Sequence, residues 1–139
     1  MSPEDLARIH AAAFTDQRPW SAAEFADLTD SAHVFLAACP QAFALGRCIA
    51  GETELLTLAT LPEARGQGLG RKMLRCYHDA ALQRGGESSF LEVAETNHIA
   101  IRLYESEGYT QTAKRPNYYR LTIGQRVGAL IFSRPLNRQ

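Results

Sequence analysis

The chain has 139 residues, with Lys+Arg 15 and Asp+Glu 15, so its formal net charge is zero. That length suits a single domain over 1–139 with a real core, and the charge balance argues against broad electrostatic binding to nucleic acid or an anionic membrane. No apolar run approaches the roughly 20 residues that cross a bilayer, and MSPEDLARIH carries acids where a secretory signal would carry basic residues and a long apolar stretch. A cytoplasmic protein is expected. Cys39, Cys48 and Cys76 are odd in number and lack C-x-x-C spacing, so neither a disulfide framework nor a zinc site is indicated. All three are expected as buried thiols.

In chain order, PEDLARIHAAAF places Leu6, Ile9, Ala13 and Phe14 at helical spacing, with Ser2 as cap and Pro3 in the first turn. A second helix follows at SAAEFADL, where Ser21 and Glu24 form a capping box. AHVFLAAC (32–39) and AFALGRCIAG (42–51) read as strands joined through Pro40. ETELLTLAT (52–60) is nearly continuous in apolar residues, which suits a central strand. From Leu69 to Arg84 the residues Leu69, Met73, Leu74, Tyr77 and Ala81 share one helical face, and Gly85-Gly86 ends the helix. SSFLEVA (88–94) is a strand, Asn97 to Glu107 a helix closed by Gly108, and YTQTA a short strand. The basic, Tyr-rich KRPNYYR (114–120) reads as a loop before a last strand, VGALIFS (127–133). The order α-α-β-β-β-α-β-α-β-β predicts an α/β fold: one mixed sheet with helices on both faces.

RGQGLG (65–70) falls between a strand and a helix. A helix start exposes unpaired N–H groups and the positive end of its dipole, and glycine leaves room for an anion to reach them. The segment therefore reads as a diphosphate cradle, with Arg65 and Arg71 adding charge. It misses the dinucleotide fingerprint G-x-G-x-x-G and also the P-loop G-x-x-x-x-G-K-[S/T]. A glycine-rich turn with no ligand is the alternative.

Arg65-x-x-Gly68-x-Gly70, after a strand and opening a helix, resembles the acetyl-CoA signature R/Q-x-x-G-x-G/A of the GCN5-related N-acetyltransferase (GNAT) superfamily. FLEV (90–93), Asn97, LYESEGY (103–109) and RPNYY (115–119) resemble its branch that acetylates the N-terminal alanine of ribosomal proteins. The similarity runs from about Pro19-Trp20 to Leu136. It implies the GNAT fold, with a splayed strand pair that binds acetyl-CoA. It also implies direct acetyl transfer in a ternary complex, with neither metal nor covalent intermediate. The acceptor it implies is a peptide or protein N-terminus, a ribosomal protein first. A lysine or small amine is the alternative acceptor, and a CoA-binding module without catalysis the alternative of another class. A monomer or weak homodimer is expected.

The resemblance carries over residue by residue. Gly66, Gln67, Gly68, Leu69 and Gly70 would meet the pyrophosphate with Arg65 and Arg71. Leu58, Ala59 and Thr60 would offer backbone groups to the pantetheine arm and the acetyl carbonyl. Glu92, a carboxylate in an apolar strand, is either ion-paired or at an edge, or else a general base raised by desolvation. The resemblance implies the base. Tyr104 would protonate the departing thiolate, or else pack in the core. Asn97, two helical turns earlier, would cap the helix, contact the coenzyme, or do both. KRPNYYR would border the peptide site, although basic residues among aromatics also suit nucleic acid. His78 and His98 are expected to be exposed and take no role. The branch usually carries an acidic pair before the last strand, and IGQRVGALIF has none.

Overall fold

A computed structural model describes residues 1–137. Two helices, α1 (Pro3–Ala13) and α2 (Ala22–Thr29), precede the antiparallel strands β1 (Val34–Cys39), β2 (Ala42–Ile49) and β3 (Glu52–Thr60). A short 3₁₀ turn at Pro62–Ala64 leads into α3 (Leu69–Gln83), β4 (Ser88–Ala94), α4 (His98–Ser106), β5 (Thr110–Arg120) and β6 (Arg126–Pro135). The sheet order is β1-β2-β3-β4-β6-β5, with β3 inside the sheet. Among the described residues only the β3–β4 contact is parallel, because α3 carries the chain back to the starting edge between them.

Capping starts α1 and α2 as the sequence predicts: Ser2 and Ser21 accept from the Asp5 and Glu24 N–H groups, and those carboxylates reach back to the cap N–H groups. Two apolar layers hold the helices to the sheet. Leu6, Ile9 and Phe25 of α1 and α2 pack on Phe43, Leu45 and Ala59 on one face. Met73, Leu74 and Tyr77 of α3 pack with Leu55, Leu91, Tyr104 and Phe132 on the other. Helices on both faces of a mixed sheet are thus present.

Three expectations are corrected. KRPNYYR is strand, not loop: β5 runs through it to Arg120. Its Tyr118-Tyr119 pair favours extended backbone, and Pro116 is tolerated because β5 is an edge strand. The irregularity that resembles a loop is a bulge. Arg115 pairs with Ala129 and Tyr119 with Val127, so residues 116–118 stand opposite Gly128 alone, with Asn117 at φ 53°. Second, Cys48 is buried but Cys39 is half-buried and Cys76 exposed. Cys76 shares the outer face of α3 with Lys72, Arg75 and Asp79. Third, His78 is buried while His98 is exposed as expected. The His78 ring is accommodated because Nε2 meets the Tyr109 hydroxyl at 2.8 Å, which meets Ser89 Oγ at 2.7 Å, which meets the Tyr77 hydroxyl at 2.8 Å.

Candidate active site

The site begins where two strands part. β3 and β4 pair from Glu52↔Ser88 to Glu54↔Phe90 and no further. β4 continues against β6 as far as Ala94↔Ala129, and β3 continues against β2 to Thr60. Among the described residues, Leu55–Thr60 therefore have no strand partner on the β4 side. Beside this splay lies a cavity of about 940 Å³, lined by Leu58, Ala59 and Thr60 of β3. The glycine segment supplies a second wall with Arg65, Gly66, Gly68, Leu69, Gly70 and Arg71, and Asn97 lies on a third. Gln67 is exposed and does not line the cavity.

The start of α3 differs from that of the other α-helices. Ser2, Ser21 and Asn97 each place a side-chain oxygen on an N–H of their helix, whereas the N-cap of α3 is Gly68 and makes no such bond. Its first-turn N–H groups are left for a ligand or water. Gly66 and Gly68 hold φ of 81° and 77°, and a Cβ added at either would meet nothing within 4 Å. The backbone here is thus open toward the cavity in a conformation that glycine adopts without strain. Both predicted arginines line the cavity and both also hold protein groups. Arg65 donates to the Ala13 carbonyl at 3.1 Å. Arg71 donates to Ser106 Oγ at 2.9 Å and to Glu107 at 2.8 Å. Arg75 and Arg71 together hold the Glu107 carboxyl below its usual range.

Glu92 and Tyr104 do not line the cavity. Glu92 is half-buried and ion-paired: Arg115 Nη1 donates to its Oε1 at 2.9 Å. It is therefore not the unpaired, desolvated carboxylate that the apolar strand suggests. Tyr104 is buried, and burial first, then Tyr109 and Tyr119, push its hydroxyl well above the usual phenol range. The two residues share Tyr119 as an electrostatic neighbour. Its own hydroxyl is pushed up to about 12, by burial first and then by the Glu92 charge. Asn97 caps α4, its Oδ1 accepting from the Ala100 N–H at 3.3 Å, so the capping role is realised at a residue that also faces the cavity. Among the described residues, no cluster of three or more His, Cys, Asp or Glu side chains is gathered for a metal, and no helix is long and apolar enough to cross a membrane.

Two parts of the site escape the sequence argument. Ile99, Arg102, Leu103 and Ser106 of α4 line the cavity opposite the glycines. Their spacing of i, i+3, i+4 and i+7 marks one helical stripe, and that mixed stripe was the available signal. The end of α1 contributes Ala13, and the connection after it Phe14, Thr15 and Asp16. Here the sequence gives no signal, because placement depends on a distant hairpin: Thr122 N–H donates to the Asp16 carbonyl at 2.9 Å.

Comparison with known proteins agrees with this geometry. The model of the Acetyltransferase (GNAT) family matches residues 4–109. The chain is 38% identical over 96 residues to the [Ribosomal protein bS18]-alanine N-acetyltransferase of Escherichia coli (strain K12). That match covers 69% of this chain and 64% of the relative, so the aligned segment spans less than two thirds of that protein. The crystal structure of the ribosomal-protein-S18-alanine N-acetyltransferase from Escherichia coli superposes with a TM-score of 0.86 at 31% identity, covering 99% of this chain and 89% of that one. Arabidopsis thaliana NAA60 in complex with acetyl-CoA shares the fold, with a TM-score of 0.82 at 16% identity over 99% of this chain and 97% of that one.

Proposed function

The chain belongs to the acetyltransferase (GNAT) family, and on that premise we propose that it transfers the acetyl group of acetyl-CoA to the α-amine of a protein N-terminus, with a ribosomal protein as first candidate. The observation that carries this reading is the parting of β3 from β4 beside a cavity whose other wall is the uncapped, glycine-lined start of α3. The free N–H groups there suit a diphosphate, and the positive end of the helix dipole favours its charge. The backbone of Leu58, Ala59 and Thr60 suits the arm of the coenzyme, and an N–H aimed at the acetyl oxygen would stabilise the charge that develops there.

The amine attacks the acetyl carbonyl, a C–N bond forms, and the C–S bond breaks. Glu92 accepts the proton of the acceptor ammonium, directly or through water, and Tyr104 gives its proton to the leaving thiolate. Burial keeps the Tyr104 hydroxyl protonated at neutral pH, so a proton is present there to give. An α-ammonium has a pKa of about 7.7–8.0 against roughly 10.4 for lysine, so a single carboxylate has less to do on an N-terminus. The 38% identical relative is named for this acceptor chemistry. The absence of an acidic pair from the segment leading into β6 favours weak peptide affinity. The reading takes the acting unit as a cytoplasmic monomer or weak homodimer.

The test is to incubate the protein and acetyl-CoA with peptides beginning Ala, Ser or Met, each with an internal lysine, and to locate the acetyl group by mass spectrometry. Acetylation at the α-amine is expected. Glu92→Gln should lower kcat/KM about 10²–10⁴-fold near neutral pH, and Tyr104→Phe should slow transfer with acetyl-CoA affinity kept. Acetyl found on lysine alone overturns the acceptor; wild-type rates in both variants overturn their roles.

A further inference from the structure

The Glu92 carboxylate already holds a cation. Among the described residues Arg115 is its one hydrogen-bond and ion-pair partner, at 2.9 Å, and both side chains are partly open, at 49% for Arg115 and 28% for Glu92. The same guanidinium lies over the Tyr118 ring, its carbon 4.1 Å from the centroid, and that ring is exposed on the edge strand. Arg115 is also the last regularly paired residue before the β5 bulge, where Pro116 and Asn117 interrupt the ladder. Its backbone is fixed by Ala129 on one side and irregular on the other. Glu92 lies two residues past Phe90, the last β4 residue that pairs with β3, so the ion pair stands where the sheet opens.

We propose that Arg115 is a resident counter-ion which occupies the place of the acceptor's ammonium on Glu92 and must leave that carboxylate, pivoting over the Tyr118 ring it already covers, for the acceptor to bind. The inference rests on the reading of Glu92 as the group that meets the acceptor amine. An ion pair this open is weak, and one cation replaces another with little change in the charge around the carboxylate. A guanidinium over an aromatic face keeps a favourable contact once displaced. With Arg115 in place Glu92 is not left as an unpaired acid, and a neutral acceptor gains nothing by displacing it. The ligand class this selects is a primary ammonium.

The experiment compares wild type with Arg115→Ala and Arg115→Gln by steady-state kinetics with an Ala-starting peptide, and uses methylguanidinium chloride as a probe of the vacated seat. Removing the resident cation should lower the peptide KM about threefold or more and leave the acetyl-CoA KM unchanged. It should also make both variants about tenfold more sensitive than wild type to methylguanidinium, competitively against peptide and not against acetyl-CoA. Adding Glu92→Gln should abolish that sensitivity. An unchanged or raised peptide KM, or equal inhibition of wild type and variants, overturns the proposal, because Arg115 would then be a surface pair or a contact to the peptide. That failure is separable from failure of the base reading, which shows in Glu92→Gln with Arg115 intact.

Discussion

His10 and His78 are buried bases, and each is held neutral by its surroundings. Nδ1 of His10 accepts the Trp20 N–H at 3.2 Å, which puts the ring proton on Nε2, and the ring stacks on Trp20 with centroids 4.9 Å apart. Burial is the largest cause that lowers both to about 4; Arg18 opposes Glu24 around His10, and Arg134 and Arg75 oppose Glu107 and Asp79 around His78. Above about pH 6.5 both rings are neutral in folded and unfolded chains alike. Below it the unfolded chain takes up protons that the folded one refuses until about pH 4, so stability is full at neutral pH and falls through that window. Each unit is about 1.4 kcal/mol; taken at about half for local relaxation around the charged rings, the pair loses about 2 kcal/mol between pH 7 and 5. The thermal midpoint should drop by several degrees over that range, and His78→Gln should flatten roughly half of the slope even if its midpoint is lower throughout. An undiminished slope would place the titration elsewhere. The burial of His78 was legible from helical spacing, since it stands four residues after Leu74 and three before Ala81 on the apolar face of α3; its partners Tyr109 and Ser89 were not, since they come from other elements.

At the scale of elements, the open start of α3 was legible because it depends on neighbours in sequence: a strand end, glycines, and a helix start with no capping side chain; its use as a diphosphate cradle belongs to the proposed function. The first part of β5 was legible as the short strand YTQTA; the rest was not, because Pro116 and Asn117 read locally as loop while the ladder with β6 and the aromatic pair decide for strand. The cradle can be tested apart from backbone strain. Gly68→Val should abolish tight acetyl-CoA binding, yet it also forces a β-branched residue to φ 77°, which costs about 1–2 kcal/mol by itself. Gly70 is not in that conformation, and a Cβ there would meet Leu103 Cδ2 at 3.6 Å and Thr60 Oγ1 at 3.9 Å, ordinary contacts across the cavity wall. Gly70→Ala should therefore keep or raise the thermal midpoint, since alanine is favoured over glycine in a helix by up to about 1 kcal/mol. The signature that this segment resembles admits alanine at this place, so acetyl-CoA affinity by calorimetry should stay within about threefold of wild type, or about 0.7 kcal/mol. Lost affinity in Gly68→Val with affinity kept in Gly70→Ala would place the close approach at Gly68, and affinity kept in both would overturn the cradle.

Across the whole molecule, the two apolar layers fasten α1, α2 and α3 to the sheet, and the site lies beside them, at the splay and the connection after α1. One backbone bond ties that connection to the far edge of the sheet: Thr122 N–H to the Asp16 carbonyl, 2.9 Å. Asp16 lines the cavity, and Thr122 belongs to the hairpin between β5 and β6. The bond can be removed almost alone. Gly124 N–H donates to the Leu121 carbonyl at 2.9 Å, so Leu121–Gly124 is a β-turn with Thr122 at its second position, where proline is favoured. Thr122→Pro deletes the donor and leaves the turn. Because the bond lies outside both apolar layers, the thermal midpoint should change little, by the equivalent of about 1 kcal/mol at most. Hydrogen exchange should quicken across residues 14–20 and 118–125 together, and transfer should slow at low peptide concentration more than at saturation. Faster exchange in the hairpin alone would show that the two segments move independently, and that the approach to the site is held by each element's own packing instead of by the bond between them.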